Sequence, residues 1–411
     1  MTPSLHRTIL VTDAGRGSAI AVIRSLGRAG WRVVAAADDP RAPGLFSRFA
    51  RERLVYPDPK AEPSAFVEAM LSAARTLGVD LIVPVTDQVI HPLAHARERF
   101  RGVCALAVAD PEALAIVTDK ERTLDLARSL GVPVPETRVV RTLAEARAAA
   151  ADLRFPLVLK PAVSRVHLPG ENRIESCQAT YAADLRELER RAPPLLARCK
   201  LLLQEYFAGV GIGVELLAFE GRPLLSFQHR RLAEVPVTGG ASAWRESEPL
   251  DPVLFEHARR FVAALRWTGL MMVEFKVGEG ERLMEINGRV WGSLPLAVHC
   301  GVDFPAALAS VLLDGPHQGN GKPGPAYPAG VRAYDVELLL SWIAQVLLGV
   351  KRHPYLPSPS RRAALPALLA LLDPRQKPDV PWRGDPRLAL ARWARIGRTL
   401  GRKVRRLVGR G

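Results

Sequence analysis

The alternation of apolar and polar positions in residues 8–110 predicts strands that alternate with helices. Short apolar runs, TILVTDA, WRVVAAADD and DLIVPVTD, are typical of buried strands. Helical spacing predicts helices over about residues 18–29 and 63–77. Strands that alternate with helices in this way indicate βαβ units on a parallel sheet. Ligands bind such sheets beyond the carboxyl ends of the strands, here residues 12–17 and 86–88.

The pattern changes after residue 118. TDKERTLDLARSLG predicts a helix with Thr118 or Asp119 as N-cap and Gly131 at its end, and FPLVLKP predicts a strand that ends at Lys160. LLLQEYFAGVGIGVELLAF predicts a strand, a glycine-rich turn and a second strand, and SFQHRRL continues that sheet. Beyond a Pro/Gly-rich stretch at 317–330 we expect mainly helix.

Two further strand patterns, LMMVEFKV and LMEINGR, flank the short segment GEGE. Side chains on a strand alternate between faces, so Glu285, Asn287 and Arg289 are expected on one face, with Met284 and Ile286 on the other. If Glu279 and Gly280 formed a two-residue hairpin loop, Glu274 would lie opposite Glu285 and Met272 opposite Asn287.

Two directly opposed carboxylates destabilise a sheet unless a positive charge compensates them. Mg²⁺ is suited to that role, since it binds one or two carboxylates with an amide oxygen and completes its shell with water and phosphate oxygens. The hairpin therefore predicts a site for Mg²⁺ and a polyphosphate at Glu274, Glu285 and Asn287, and Arg289 would reach the transferring phosphoryl group. The alternative is a solvated polar face.

The net charge of +15 is informative once it is located along the chain. Residues 351–411 hold 16 of the 57 lysines and arginines but only 3 of the 42 acidic residues, so the first 350 residues are nearly neutral. A nucleic-acid-binding core would need a basic face for phosphates. We therefore expect no nucleic-acid partner.

Other features of the sequence favour a cytoplasmic protein. The four cysteines are far apart and form no CxxC pair, which argues against a zinc site or a disulfide framework. The N-terminus lacks the pattern of a signal peptide. The longest apolar stretch, residues 336–350, is interrupted by polar side chains and is shorter than the roughly 20 residues that cross a membrane.

Several polar segments are candidates for binding an anion. The residues Gly15, Arg16 and Gly17 would form either a backbone cradle at a helix N-terminus or a simple tight turn. Lys160, after four apolar residues, must meet an anion or water. The segment QHRR, residues 228–231, would bind phosphate or carboxylate or would protect an exposed sheet edge. The loop at 238–242 would meet a substrate carboxylate or serve as a turn.

The basic tail predicts an amphipathic helix with Asp385 as N-cap and Pro386 at its first position. Its apolar stripe is Trp393, Ile396, Leu400, Val404 and Leu407, and arginines and a lysine surround it. Such a helix is typical of peripheral binding to an anionic membrane surface, here the inner face. The alternatives are packing on the protein body and binding of an acidic partner.

Together these motifs resemble the ATP-grasp superfamily over roughly residues 8–312, in the branch described as carbamoyl-phosphate-synthase-like or as carboxylate-amine ligases. The motifs that carry the resemblance, in order, are TDK at 118, GVPVP, LVLKP at 157, LLQEYF at 202, VEF, MEINGR and WGSLPLAVHCGVDFP at 291. Their shared order is much more specific than any one of them.

The resemblance implies an α/β ATP-grasp fold. A Rossmann-like domain would span 1–112 and an ATP-grasp domain 113–315, with a lid at about 118–203 and a hinge at 204–207. A helical basic extension would span 316–411. ATP and one or two Mg²⁺ ions, with Mn²⁺ as an alternative, would serve to phosphorylate a small carboxylate to an acyl phosphate, which an amine or another nucleophile attacks.

The resemblance also assigns residues. Lys120 and Lys160 match lysines that contact nucleotide phosphates, and Arg289, Arg230 and Lys160 match residues placed against the transferred group. The hinge residues that would bind the nucleotide are Gln204, Glu205, Tyr206 and Phe207. Metal ligands would be Glu274, Glu285 and Asn287. Candidates for substrate binding are Gly15, Arg16, Gly17, Asp87, His229, Arg231, Thr238, Gly239 and Gly240.

One departure concerns the loop PAVSRVHLPGENR after Lys160, which has a single glycine where the family has a Gly-rich loop over the phosphates. Ser164 and His167 are the candidates to replace that loop. The alternatives to a ligase are a catalytically weak nucleotide-binding scaffold at the membrane, carboxyphosphate or carbamoyl-phosphate chemistry, and a dehydrogenase that rests on DAGRGS alone. Substrate identity and oligomeric state are not encoded in any of these motifs.

Overall fold

The first sheet is parallel, as predicted. The computed structural model of the chain describes residues 7–162, 165–167, 174–176, 179–316, 326–349, 355–381 and 384–408. The elements of the N-terminal part, in chain order, are β1 (Thr8–Val11), α1 (Gly17–Arg28), β2 (Arg32–Ala37), β3 (Ala50–Val55), α2 (Pro63–Leu77), β4 (Val79–Val83), α3 (Asp87–His95), α4 (Arg97–Phe100) and β5 (Ala105–Leu106). Its five strands are arranged β3-β2-β1-β4-β5, so the loops after β1 and β4 are neighbours at the carboxyl edge.

The middle part contains a four-stranded antiparallel sheet, β10-β7-β11-β6. Its elements are α5 (Pro111–Thr118), α6 (Lys120–Ser129), β6 (Thr137–Val140), α7 (Leu143–Ala151), β7 (Leu157–Pro161), β8 (Arg165–His167), β9 (Ile174–Ser176), β10 (Thr180–Ala182), α8 (Leu185–Arg191), α9 (Pro193–Leu196) and β11 (Leu201–Glu205). The Asp119 carboxylate accepts bonds from the amides of Glu121 and Arg122, so Asp119 is the N-cap of α6.

The third part is a seven-stranded sheet in the order β16-β15-β12-β13-β14-β17-β18. Its elements are β12 (Val210–Phe219), β13 (Arg222–Val235), β14 (Ala241–Glu248), α10 (Pro252–Ala264), β15 (Gly269–Gly278), β16 (Gly280–Asn287), α11 (Leu294–His299), α12 (Phe304–Asp314), β17 (Arg332–Tyr334), α13 (Val336–Leu348), α14 (Ala364–Leu372), β18 (Lys377–Pro378) and α15 (Pro386–Val408). The C-terminal extension is therefore not only helical, because β17 and β18 extend the sheet at its edge.

Successive residues of β15 pack into two different cores, as strand geometry requires. Leu270 and Met272 join the core that includes α1, α11 and α12. Met271 and Val273 join the core formed with α5 and α10. Glu274 continues the face of Met272, and this alternation directs its carboxylate to the side that the N-terminal sheet approaches.

The β15–β16 hairpin confirms the predicted pairing but not the predicted turn. Glu274 pairs with Glu285 and Met272 with Asn287. At the tip, however, Gly278 pairs with Gly280 around Glu279, which differs from the expected two-residue loop. A β-bulge at Met284 shifts the register by one residue and restores the predicted pairing at the carboxylates.

The bulge also corrects the expected direction of one side chain. Leu283 and Ile286 are buried in the core, whereas Met284 and Glu285 both line the same cavity. Met284 was expected on the face opposite Glu285. The sequence alternation could not reveal this, because an extra residue in one strand places two neighbours on one side.

The start of α15 is docked on the N-terminal part. Leu388 and Ile396 are buried, and the helix packs beside the 3₁₀ turn Pro43–Phe46. Of the predicted apolar stripe, Ile396 therefore faces the protein body and Trp393 is exposed, while side chains from residue 400 onward lie outside the described part. In the described ranges no helix combines the length and the apolar character needed to traverse a bilayer.

Candidate functional site

A cavity of about 650 Å³ lies where the three sheets and the C-terminal extension meet. Its volume falls in the range of small-molecule sites. Most of the predicted site residues line it, although they come from distant parts of the sequence. These are Gly15, Arg16, Gly17, Lys160, Gln204, Glu205, Tyr206, Phe207, Arg231, Thr238, Gly239, Gly240, Glu274, Glu285, Asn287 and Arg289.

The acidic centre of the cavity is the cross-strand pair Glu274 and Glu285. The amide Nδ2 of Asn287 donates to Oε1 of Glu274 at 2.9 Å. Burial and the charge of Glu274 raise the pKa of Glu285, against the opposing effect of Lys120, Lys160 and Arg289. An additional cation near Glu274 and Glu285 would therefore stabilise their charged forms.

Cations surround this pair. Arg231 contacts Glu274 at 2.5 Å and Glu234 at 2.9 Å. Burial lowers the pKa of Lys160 to about 8, although Glu285 acts in the opposite direction. Lys120 does not line the cavity, but its charge affects both Lys160 and Glu285. Two predicted phosphate-binding lysines and the predicted metal ligands thus lie within electrostatic reach of one another.

Arg289 lies just beyond the end of β16 and lines the cavity. Its Nε donates to Oδ1 of Asp87 at 2.8 Å, and Asp87 is the first residue of α3. Asp87 does not itself line the cavity. The structure therefore makes Asp87 a partner of Arg289, rather than showing the direct substrate contact that we predicted for it.

Asn287 and Arg289 are separated by a tightly packed glycine. A Cβ atom on Gly288 would lie 2.5 Å from Cη2 of Trp267, which is 1% exposed. Only glycine lets the chain pass this close to the indole ring. The packing against Trp267 holds the segment that carries Asn287 and Arg289 in place.

The predicted hinge, residues 204–207, spans the end of β11 and lines the cavity. Backbone amides of Glu205 and Tyr206 donate to the carbonyls of Glu136 and Pro156 at 2.9 and 3.0 Å. The carboxylate of Glu205 binds the guanidinium of Arg154. These bonds hold the hinge against the segments at 136 and 154–156, and all four hinge residues line the cavity.

Lys276 is a cavity residue that we did not predict. Its Nζ donates to the carbonyl of Phe207 at 3.4 Å and lies 5.0 Å from the ring centre of Tyr206. Burial lowers the pKa of Lys276. The signal was present in the sequence, because Lys276 is two residues from Glu274 and therefore shares its face.

Two predicted residues of the QHRR segment are not brought into the cavity. Arg230 faces the neighbouring strand and binds Glu246 at 3.1 Å and Glu248 at 3.3 Å. His229 is fully buried, with Nδ1 3.0 Å from Oε1 of Glu215. Where the strand is regular, successive side chains alternate, so the position of Arg231 directs Arg230 to the opposite face. His229 shares the face of Arg231 by the same rule, but it is buried against Glu215 and does not line the cavity. We therefore leave Arg230 and His229 out of the site.

The two predicted substrate loops do border the cavity. Gly15 and Arg16 lie in the loop between β1 and α1, Gly17 and Ser18 begin α1, and residues 238–240 lie in the loop between β13 and β14. The hydroxyl of Tyr181, a residue of β10, donates to the carbonyl of Thr238 at 2.8 Å. This bond joins the second loop to the middle sheet.

The C-terminal extension supplies cavity residues that we did not predict. They are Asp335, Glu337, Asp379, Arg392 and Arg395. Arg392 pairs with Asp335 at 2.8 Å, and the fully buried Arg245 binds Asp379. The helical arginine pattern predicted a basic surface, but no pattern indicated which arginines would turn toward a cavity formed by residues hundreds of positions away.

Ser164 and the side chain of His167 lie outside the described residues, as does the single glycine of their loop. Their predicted role over the phosphates therefore stays a prediction.

The residues at the hairpin fit a hard divalent cation. Two carboxylates and an amide supply the oxygen ligands that Mg²⁺ prefers, and burial disfavours leaving the charge of Glu285 uncompensated. The described part of the chain contains no group of three or more His, Cys, Asp or Glu side chains that could hold a metal. A Mg²⁺ site here would therefore depend on the amide and on oxygens from substrate and water.

Comparison with known proteins identifies relatives of this architecture. A family model described as ATP-grasp in the biosynthetic pathway with Ter operon matches residues 198–333. D-alanine–D-alanine ligase of Ectopseudomonas mendocina is 28% identical over 221 residues, which cover 49% of this chain and 66% of that protein. The carbamoyl phosphate synthase large chain of Rubrobacter xylanophilus is 27% identical over 231 residues, covering 54% of this chain and 21% of that protein.

A solved structure shows the same fold. It is the biotin carboxylase domain of 2-oxoglutarate carboxylase from Hydrogenobacter thermophilus, in complex with MgADP, ADP and bicarbonate. The TM-score is 0.61 at 17% identity, with 78% of this chain and 73% of that chain covered. The family model covers residues 198–333, and this match, together with the relatives and the shared fold, supports placing the chain in the ATP-grasp superfamily.

Proposed function

We propose that the protein is an ATP- and Mg²⁺-dependent ligase that activates a small carboxylate as an acyl phosphate for attack by an amine or another nucleophile. One observation carries the proposal: Glu274, Glu285 and Asn287 share a cavity with Lys160, Arg289 and the hinge. The named relatives, a ligase and a synthase, support the same reaction class. The units 1–112, 113–315 and 316–411 are proposed as substrate-binding, ATP-binding and accessory parts.

The nucleotide would bind along the hinge. Residues 204–207 border one side of the cavity, and Lys276 donates a hydrogen bond to the carbonyl of Phe207. The aromatic ring of Tyr206 and the apolar Met284 offer surface for a base. Lys160 would then bind the phosphates beside Glu274 and Glu285, and the charge of Lys120 would add to the positive potential there.

Glu274, Glu285 and Asn287 would hold Mg²⁺, with Mn²⁺ as an alternative ion, and the metal would neutralise phosphate charge. Phosphoryl transfer requires mainly positioning and charge neutralisation. Arg289, oriented by Asp87, would bind the transferred group, while Arg231 keeps Glu274 in place. The residues of the 15–17 and 238–240 loops would bind the substrates.

The pKa of Lys160 predicts how activity depends on pH. Because this pKa is lowered to about 8, the ammonium group is present below about pH 8 and is lost as the pH rises through that value. The kcat/KM for MgATP should therefore fall above pH 8, and Lys160→Arg should shift this loss to higher pH, since arginine stays protonated. An unchanged pH profile in Lys160→Arg would contradict the assignment.

The most direct test of function is a screen of pooled amino acids and carboxylic acids for Mg²⁺-dependent ADP release. Each pool is repeated with hydroxylamine, which traps an acyl phosphate as a hydroxamate. Hydroxamate formed from one pool supports the proposal. ADP release with bicarbonate alone would instead favour carboxyphosphate chemistry, and ATP binding without turnover in any pool would favour a scaffold.

Membrane association of the tail is a separate proposal. Ile396 of the apolar stripe is buried against the body, whereas Trp393 is exposed, so a membrane-binding face would consist of Trp393 and the segment beyond residue 399. Loss of binding to anionic vesicles on removal of residues 400–411 would support it.

A further inference from the structure

The substrate end of the cavity contains two arginines from opposite ends of the sequence. Arg16 precedes α1, and Arg395 lies on α15. The Arg395 guanidinium donates to the carbonyl of Gly15, which joins α15 to the loop after β1. The loop after β1 and helix α15 thus form one wall of the cavity.

These two arginines lack the ion pairs that most arginines in the site possess. Arg392 binds Asp335 at 2.8 Å, and Arg289 binds Asp87 at 2.8 Å. Within the described ranges, neither Arg16 nor Arg395 has a carboxylate oxygen within 4.0 Å of its side-chain nitrogens. Positive charge at this wall is therefore not compensated by direct contact.

The electrostatics of Arg395 agree with that geometry. Burial, together with the charges of Arg392 and Arg16, lowers the pKa of Arg395, against the opposing effects of Glu337 and Asp39. Helix α1 also begins beside this wall without a side-chain cap and without an acidic residue in its first turn. A bound anion would stabilise the charged guanidinium groups of Arg16 and Arg395 and would interact favourably with the N-terminus of α1.

We propose that Arg16 and Arg395 bind an anionic group, a carboxylate or a phosphate, on one of the two small-molecule substrates. This inference rests on the proposed ligase function. The group is distinct from the carboxylate that is phosphorylated, because that carboxylate must meet the transferred phosphate beside Lys160 and Arg289. The C-terminal helix is then a substrate-binding element.

The proposal predicts a preference among matched substrates. One pool contains dicarboxylic and phosphorylated carboxylic acids, and its partner contains the corresponding monoamides and unphosphorylated acids. A second pair compares L-amino acids with their amides as nucleophiles. In one of the two pairs, the anionic members should have the higher kcat/KM, and the pair that responds identifies which substrate carries the group.

Variants test whether Arg395 causes the preference. Arg395→Gln should raise the KM of the anionic substrate by about 10–100-fold, as expected when a charge-assisted bond is lost, and should leave the KM of MgATP unchanged. Arg395→Lys should retain part of the preference. The control Arg398→Gln changes an exposed arginine of the same helix and should retain all of it.

The proposal is overturned if matched substrates are used equally well, or if Arg395→Gln lowers the melting temperature without changing the preference. If no pool supports ADP release, the ligase function is rejected. A binding measurement then tests separately whether Arg16 and Arg395 form an anion site. Malonate and inorganic phosphate, titrated calorimetrically, should bind the wild-type protein at least tenfold more tightly than Arg395→Gln. Equal affinity, or no binding to the wild type, would reject the anion site.

Discussion

Replacing Glu285 by glutamine is expected to lower kcat for ATP turnover by about 10²–10³-fold, the usual effect of removing one group that stabilises charge in a transition state. The substitution keeps the shape of the side chain but removes the charge that faces Lys160 and the proposed metal. ATP bound along the hinge should lose little affinity, because residues 204–207 are unchanged. Single-turnover kinetics and equilibrium binding of ATP would measure the two effects separately.

The matched control is Glu279→Gln, at the exposed tip of the same hairpin. It removes the same charge from the same pair of strands, but far from the opposed carboxylates, and should leave kcat unchanged. If Glu285→Gln and Glu279→Gln behaved alike, the metal-binding assignment would be rejected. If Glu285→Gln lost turnover only because it was less stable, its melting temperature would be lower than that of Glu279→Gln.

The hairpin shows how far strand alternation can predict a site. The Glu274–Glu285 pairing followed from counting residues, and the structure confirms it. The assumed loop was nevertheless wrong, and the bulge at Met284 compensated for the error. Hydrophobic burial explains the outcome, since Leu283 and Ile286 must both reach the core and a bulge allows this with Glu285 still facing the cavity.

Alternation applied more strictly would have improved two other predictions. Lys276 shares a face with Glu274 and was missed, while Arg230 and Arg231 are adjacent and were both assigned to the site. In each case the rule that successive side chains point to opposite faces gives the observed result. The sequence therefore contains the information that separates Lys276 and Arg231, which line the cavity, from Arg230, which does not.

The C-terminal wall could not be predicted in this way. Amphipathic spacing correctly indicated a helix beginning at Pro386, but it cannot identify the surface against which a helix packs. A cationic helix with an apolar stripe fits a membrane surface and a protein surface equally well. Only the tertiary contacts of its first residues distinguish the two, and the most informative of these contacts is made by Asp385.

Asp385 joins α15 to helix α1 and to the segment before β3 through a buried network. Its carboxylate accepts bonds from Arg24 at 2.9 Å, from the hydroxyl of Ser47 at 2.6 Å and from the amide of Arg48 at 3.0 Å. The side chains of Arg24 and Asp385 are only 5% and 1% exposed. Removing the carboxylate would leave the Arg24 guanidinium buried without its partner, and burial already lowers the pKa of Arg24.

Asp385→Ala is therefore expected to reduce the free energy of unfolding by about 3–5 kcal/mol, the usual cost of breaking a buried ion pair on one side. Urea denaturation would measure this change, and hydrogen exchange would show whether α15 separates first. Asp125→Ala, which removes an exposed i,i+3 partner of Arg128, should change stability by no more than about 0.5 kcal/mol. The double variant Arg24→Met with Asp385→Leu should recover part of the loss, because it removes both charges but leaves the Ser47 hydroxyl and the Arg48 amide without their acceptor. If Asp385→Ala were as stable as Asp125→Ala, the C-terminal helix would not be held by this network, and its arginines would lose the anchor that places them at the cavity.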